Sequence, residues 1–222
     1  MEAVTNLKDI AYQFIKDKVL NCEFYPGQDI SEKQIAETIG AGRTPVREAL
    51  LMLQKENLIE IYPRSGTRAK RILPEDTAQL YQIRKLIEPT VAIKYKNQID
   101  SITLLDFERR FDALKTCTKL EDERQFYALD IEFHQFIVDA PGNTRLSRSF
   151  REIMQDTYRV GILSMLQHRN SPRQDTLAEH RRIIRAILME DDQEIEAAFT
   201  EHINHSLLSS LETLRHEENA NA

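Results

Sequence analysis

The chain has 222 residues, with 30 Lys and Arg against 36 Asp and Glu, a formal net charge of −6. Hydrophobic residues make up 41% and recur regularly, which excludes an intrinsically disordered chain. Six Gly and two Cys exclude collagen-like and disulfide-rich classes, and the longest apolar run, Ala49 to Leu53, is too short to cross a bilayer.

Leu7, Ile10, Ala11, Phe14, Ile15 and Leu20 recur at helical spacing and predict a first helix over residues 6–22. Pro26-Gly27 marks a turn. Ser31 with Gln34 forms a capping-box pattern, opening a short helix through Ile39 that Gly40 to Gly42 ends. A third helix is expected from Arg43, with Val46, Ala49, Leu50 and Leu53 on one side. Two β-like stretches, 58–62 and 67–72, flank Pro63-Arg64-Ser65-Gly66, a natural hairpin connection. Beyond Pro74, helices are expected at 75–97, 101–117, 121–139, 144–168, 173–189 and 192–216, with Pro89 kinking or splitting the first. Pro141-Gly142 and Ser171-Pro172 mark later boundaries, and Asp191 with Glu194 repeats the capping-box pattern. Amphipathic stripes on these helices predict an antiparallel bundle.

Charge divides at the same place as the pattern of elements. Residues 1–72 hold 11 basic and 10 acidic side chains, whereas residues 73–222 hold 19 and 26. Any polyanion is therefore expected to bind at the N-terminal end. Met1, Glu2 and Ala3 lack the basic and apolar stretches of a secretory leader, and Cys22 and Cys117 lie far apart and read as packed thiols. A reducing cytoplasm is the expected location.

On a helical wheel Arg43, Thr44, Arg47 and Gln54 share one face, away from Val46, Ala49 and Leu53. A short helix, a Gly-bounded turn and a helix with two Arg one turn apart suit a helix-turn-helix with its second helix in the major groove. Arg43 and Arg47 can each donate two hydrogen bonds to guanine or neutralise phosphates. The hairpin tip, Arg64 to Thr67, followed by Arg68, Lys70 and Arg71, forms a basic wing in which Gly66 lets the backbone approach DNA closely. A solvated basic face on a small helical domain has the same composition.

In the second part, Asp130 and His134 are one helical turn apart and can reach the same point inside a bundle. His180 and His202 each lie 11 residues from a turn near Asp191. In an antiparallel hairpin equal counts place them at one height, about 16 Å along each helix. One carboxylate and three imidazoles from three helices suit Zn, Ni, Co or Mn with positions left open. Histidines packed or hydrogen-bonded on amphipathic faces are the alternative. His205 is offset by nearly one turn, and His168 and His216 sit in polar surroundings. Arg84 can clamp a carboxylate bidentately or pair with Glu88 one turn on; Tyr158 and Arg159 are further candidates. Glu132 points about 200° from Asp130, so no general base accompanies the set.

Pro26-Gly27, Ser31-Glu32-Lys33-Gln34-Ile35-Ala36, Gly42-Arg43-Thr44-Pro45-Val46-Arg47-Glu48-Ala49-Leu50, Leu58 and Gly66 resemble the winged helix of the GntR family. The resemblance implies that Lys33, Arg43, Thr44, Arg47, Arg64 and Gly66 contact operator DNA. Two departures stand out. Gly42 replaces the usual Ser or Thr, a weaker cap, and Leu51 and Met52 replace residues often basic, which implies lower phosphate affinity. Asp130-Ile131-Glu132-Phe133-His134, Asn143 with Leu146, Glu179 to Ile184 with Ala186-Ile187, and Glu201-His202 resemble the FCD effector domain that defines the FadR subfamily. Arg84 to Pro89 resembles its opening helix. That likeness implies a metal on Asp130, His134, His180 and His202 with a small organic acid beside it.

The expectation is a mostly α protein: a winged helix-turn-helix of three helices and a β-hairpin wing over residues 1–72, a linker at 73–75, and an all-α antiparallel bundle over 76–222. It would act as a ligand-responsive DNA-binding regulator, a homodimeric repressor on a palindromic operator, with no membrane partner. A metal-dependent bundle enzyme and a protein-interaction module are the rivals from other classes.

Overall fold

The computed structural model describes residues 6–115, 120–167 and 173–220. The chain divides into two compact units, Met1–Ile72 and Leu73–Ala222.

In the first unit, helix α1 (Leu7–Leu20) is capped by Asn6, whose side chain accepts from the Lys8 amide. Strand β1 (Asp29–Ile30) leads into α2 (Glu32–Ile39), where Ser31 Oγ accepts from the Gln34 amide at 3.3 Å. Gly40, with φ of +65°, closes α2 in the left-handed conformation that Gly adopts at little cost. Helix α3 (Arg43–Lys55) starts at Gly42 with no side-chain cap, as the missing hydroxyl implies. Strands β2 (Ile59–Tyr62) and β3 (Gly66–Ala69) form the wing. Ala11, Ile15 and Val19 of α1 meet Ile35, Val46, Ala49, Leu50 and Leu53 in one core. These are the apolar faces that helical spacing marks out.

The wing differs from the expected hairpin by one strand. β1 pairs antiparallel with β3 (Asp29 opposite Arg68, Ile30 opposite Thr67), giving the order β1-β3-β2. Two residues are too few to show an alternation, so β1 left no periodic signal. Arg68 Nε donates to Asp29 Oδ1 at 2.7 Å, tying the wing to this strand.

The second unit is helical throughout its described residues: α4 (Pro74–Tyr95), a 3₁₀ turn at Lys96–Gln98, α5 (Ser101–Ala113), α6 (Leu120–Asp139), α7 (Thr144–Gln167), α8 (Arg173–Leu188) and α9 (Asp192–Ala220). Pro89 does not split α4, which runs on to Tyr95. Pro89 itself is buried, and packing outweighs the intrahelical bond that its missing N–H costs. The expected linker also shortens, since Pro74 is already in the first turn of α4, where it gives up no needed donor. Helix α5 stops at Ala113, short of the expected 117.

α4 and α8 both pack along α9, and α6 packs on α7. The core joins Phe107 and Phe111 of α5, Phe133 and Ile137 of α6, Ile183 and Ile187 of α8, and Ile195 and Phe199 of α9. Phe133 meets Phe107 and Phe111 edge-on, the arrangement aromatic quadrupoles favour. No helix among the described residues is long and apolar enough to cross a membrane.

Candidate functional sites

The DNA-facing candidates sit where helix geometry predicts. Lys33 on α2, Arg43, Thr44 and Arg47 on α3, and Arg64 and Gly66 at the wing tip are all exposed. Their neighbours Val46, Ala49 and Leu50 are fully buried. Packing thus fixes α3 while its opposite face stays open. Gly66 adopts φ of +100° with open space around the position a Cβ would occupy, so its role is conformational. Leu51 is 46% exposed where a basic residue is common.

In the second unit α6, α8 and α9 bring Asp130, His134, His180 and His202 together, their candidate ligand atoms all within 4.8 Å of one another. His134 Nε2 lies 3.1 Å from His202 Nε2 and 3.4 Å from His180 Nε2. Asp130 Oδ1 is 2.9 Å from His180 Nε2 and 3.8 Å from His134 Nε2. Bonds of about 2.0–2.1 Å to a tetrahedral ion require ligand atoms about 3.3 Å apart. All three imidazoles are essentially inaccessible to solvent.

The outer nitrogens explain the orientation of these rings. His134 Nδ1 bonds Glu88 Oε2, and His202 Nδ1 bonds Glu179 Oε2 at 3.0 Å. In the neutral ring each Nδ1–H donates to a carboxylate and each Nε2 presents a lone pair, as a metal ligand must. Two such lone pairs 3.1 Å apart cannot bond to each other. A cation between them resolves the contact, so the residues fit the group. His180 stacks on Phe111 at 4.5 Å between ring centroids.

Electrostatics favours a dication. Burial would raise the Asp130 carboxyl, but the hydrogen bond to His180 and the surrounding imidazoles hold it well below the usual range. Burial likewise opposes the Glu88 charge, yet Arg84 and His134 bring its pKa down to about 2. Burial pushes His202 well below the ordinary histidine value, and His180 below it too, so both stay neutral near pH 7.

Arg84 forms the expected pair with Glu88. Its Nε donates to Glu88 Oε1 at 2.6 Å, with both side chains buried. Its Nη2 is buried with no hydrogen-bond partner among the described residues, and Arg84 lines a cavity of about 390 Å³. Asp130, Glu179 and His205 line the same space, so it adjoins the histidine cluster. Tyr158 and Arg159 do not line it; α7 contributes Thr157, Gly161 and Ser164 instead. Arg159 is buried 3.4 Å from Asp156, and Tyr158 is half-buried.

The contacts of Glu88 with His134 and of Glu179 with His202 are what sequence reasoning missed. A signal existed: Thr77, Tyr81, Arg84 and Glu88 form a buried stripe with charges at core positions. His205 is largely exposed and bonds Glu179, leaving His202 as the inward ring. Glu132 points outward to Arg110. Cys22 is buried; Cys117, His168 and Ser171-Pro172 lie outside the described residues, as does the side chain of His216.

A winged helix followed in the chain by a helical bundle with a His₃Asp cluster is the architecture of a class of DNA-binding regulators. Residues 7–68 match the model of bacterial regulatory proteins of the gntR family, and residues 79–205 match the FCD domain. The chain belongs to the GntR family of transcriptional regulators and carries an FCD domain. It is 25% identical over 206 residues to the HTH-type transcriptional repressor RspR of Escherichia coli K12, covering 93% of this chain and 89% of that protein. It is 29% identical over 209 residues to the HTH-type transcriptional regulator LutR of Bacillus subtilis, covering 83% and 92%. The fold matches E. coli McbR/YncC with a TM-score of 0.79 at 16% identity, covering 94% and 99%. The chain is thus a DNA-binding transcriptional regulator and not an enzyme. FCD domains commonly bind metal, and this cluster could hold one.

Proposed function

We propose that this chain is a cytoplasmic repressor of the FadR subfamily that binds a palindromic operator as a homodimer and responds to a small carboxylate bound beside a metal. The observation that carries the reading is the pair of inward Nε2 lone pairs on His134 and His202, each fixed by a buried carboxylate, next to a cavity lined by Arg84. Asp130, His134, His180 and His202 would hold Zn, Ni, Co or Mn. The ion would supply a Lewis-acidic anchor for the acid, and Arg84 Nη2 a charged donor.

Lys33, Arg43, Thr44, Arg47, Arg64 and the Gly66 turn would contact the operator, α3 reading bases in the major groove. Two reading heads match two half-sites, which favours a homodimer. The name of RspR as a repressor supports that sign of regulation. Arg84 and Glu88 sit on α4, whose first residue, Pro74, is separated from the DNA-binding unit by Leu73 alone. Displacement of α4 by an effector therefore has a covalent path to the reading head. The effector shifts operator affinity only by its differential affinity for the two arrangements.

Elemental analysis of the untagged protein, with thermal melts before and after chelation, tests the reading. About one divalent ion per chain and a lower melt after chelation are expected. A metal-free protein that chelators leave unchanged would overturn the metal assignment.

A further inference from the structure

The buried ring of His202 and the exposed ring of His205 share one carboxylate. Glu179 Oε2 accepts from His202 Nδ1 at 3.0 Å, and Glu179 Oε1 accepts from His205 Nδ1 at 2.5 Å. The three side chains run from surface to core, 55% exposed at His205, 15% at Glu179 and 1% at His202. The two histidines are three residues apart on α9, so both can face Glu179 on α8. His134 is held differently, by Glu88, whose other oxygen is fixed by the buried Arg84.

A glutamate side chain has three torsions, and one hydrogen bond leaves much of that freedom in place. On its own helix Glu179 finds no help: the residue one turn back is Asp175, a like charge at a spacing that repels. Among the described residues, His205 is the donor that takes the second oxygen across the helix pair. It can donate in either charge state, since Nδ1 bears a proton in the imidazolium and in the Nδ1–H tautomer alike. The hydrogen bond to Glu179 raises the His205 pKa against the cost of burial, and Glu201 and Asp175 add to the rise.

We infer that His205 is a positioning residue of the proposed metal centre: by holding Glu179 Oε1 it keeps Glu179 Oε2 on His202 Nδ1, and so keeps the His202 Nε2 lone pair aimed at the ion. The inference rests on that centre. His205 and Glu179 both line the cavity, so the chain of bonds runs from the cavity wall to the ligand set.

Competition of the full-length protein against a fluorescent chelator for Zn²⁺, with the visible absorption of the Co²⁺-loaded form, tests this. Glu179→Gln removes the carboxylate that orients His202 and should weaken metal binding about 10- to 100-fold. His205→Ala acts one bond further out and should weaken it about three- to tenfold and shift the Co²⁺ bands. The melt of the metal-free His205→Ala protein should match wild type, because the side chain is largely exposed. His205→Asn, whose amide nitrogen falls near the place of Nδ1, should restore both affinity and spectrum. Wild-type affinity and spectrum in His205→Ala would overturn the positioning role. So would a His205→Asn protein that behaves like His205→Ala, or a metal-free melt that falls in step with affinity. A wild-type protein that takes up neither ion would overturn the metal centre itself.

Discussion

The Nε2 atoms of His134 and His202 lie 3.1 Å apart, and as neutral rings with the proton on Nδ1, facing Glu88 or Glu179, neither can donate to the other. Removing the ion such a pair would hold leaves two lone pairs in repulsive contact inside a dry core. Replacing both His134 and His180 with Ala should abolish metal binding, and chelator should then no longer shift the melt. Elemental analysis with calorimetry checks it; a fully loaded double variant would mean other side chains are the ligands.

Glu88 carries two tasks at once, one oxygen on Arg84 Nε and the other on His134 Nδ1. Glu88→Gln keeps an acceptor for one of them but removes the charge that balances Arg84. Metal affinity should fall 10- to 100-fold. Stability should fall by about 3 kcal/mol through the buried guanidinium left unpaired. Competition with a fluorescent chelator separates the first effect from the second, which denaturant unfolding reads.

The winged helix was legible almost residue by residue, because Val46, Ala49, Leu50 and Leu53 alternate with the exposed Arg43, Thr44 and Arg47 at helical spacing. The four candidate ligands were legible for a geometric reason: i,i+4 spacing on α6 and equal counts from one turn on α8 and α9. Glu88 was not, because its contact with His134 spans 46 residues and no local period encodes it. Tyr158 and Arg159 do not line the cavity, for a related reason. On α7 the face turned to the cavity is set by tertiary packing, and it carries Thr157, Gly161 and Ser164. β1 was too short to read.

Acid should destabilise the metal-free protein before its carboxylates titrate. The folded pKa values of His202 and His180 are depressed by burial, so below about pH 6.5 the unfolded chain binds more protons than the folded one. Stability is then lost as pH falls, by up to about 1.4 kcal/mol per pH unit for each ring. His205 works in the opposite direction, its pKa raised by Glu179, but it is exposed and weakly coupled. Melts of chelated protein at pH 7.5 and 5.5 should show a clear drop, and equal melts would contradict the neutral, buried assignment.

Arg47 is exposed one turn into α3, between the buried Val46 and Ala49, so its truncation removes a DNA contact without opening the core. Arg47→Ala should reduce binding to a selected operator by at least about 1–3 kcal/mol, with the circular dichroism spectrum unchanged. Unchanged operator affinity in a mobility-shift titration would reject α3 as the recognition helix.

Gly161 of α7 lies against the ring of Tyr127. A Cβ there would lie 2.5 Å from Tyr127 Cδ1 and 2.6 Å from Cε1, so the ring must move. Both residues line the cavity. Ala is favoured over Gly in a helix by about 1 kcal/mol, while forcing a side chain out of a packed position costs about 1–3 kcal/mol. Gly161→Ala should therefore destabilise modestly and weaken effector binding by displacing Tyr127 from the cavity wall. Metal content should be unchanged, because Asp130, His134, His180 and His202 lie on α6, α8 and α9 rather than α7. Loss of metal in this variant would place Tyr127 in the support of the cluster itself, and an unshifted melt with intact effector binding would show that the ring has room to turn aside.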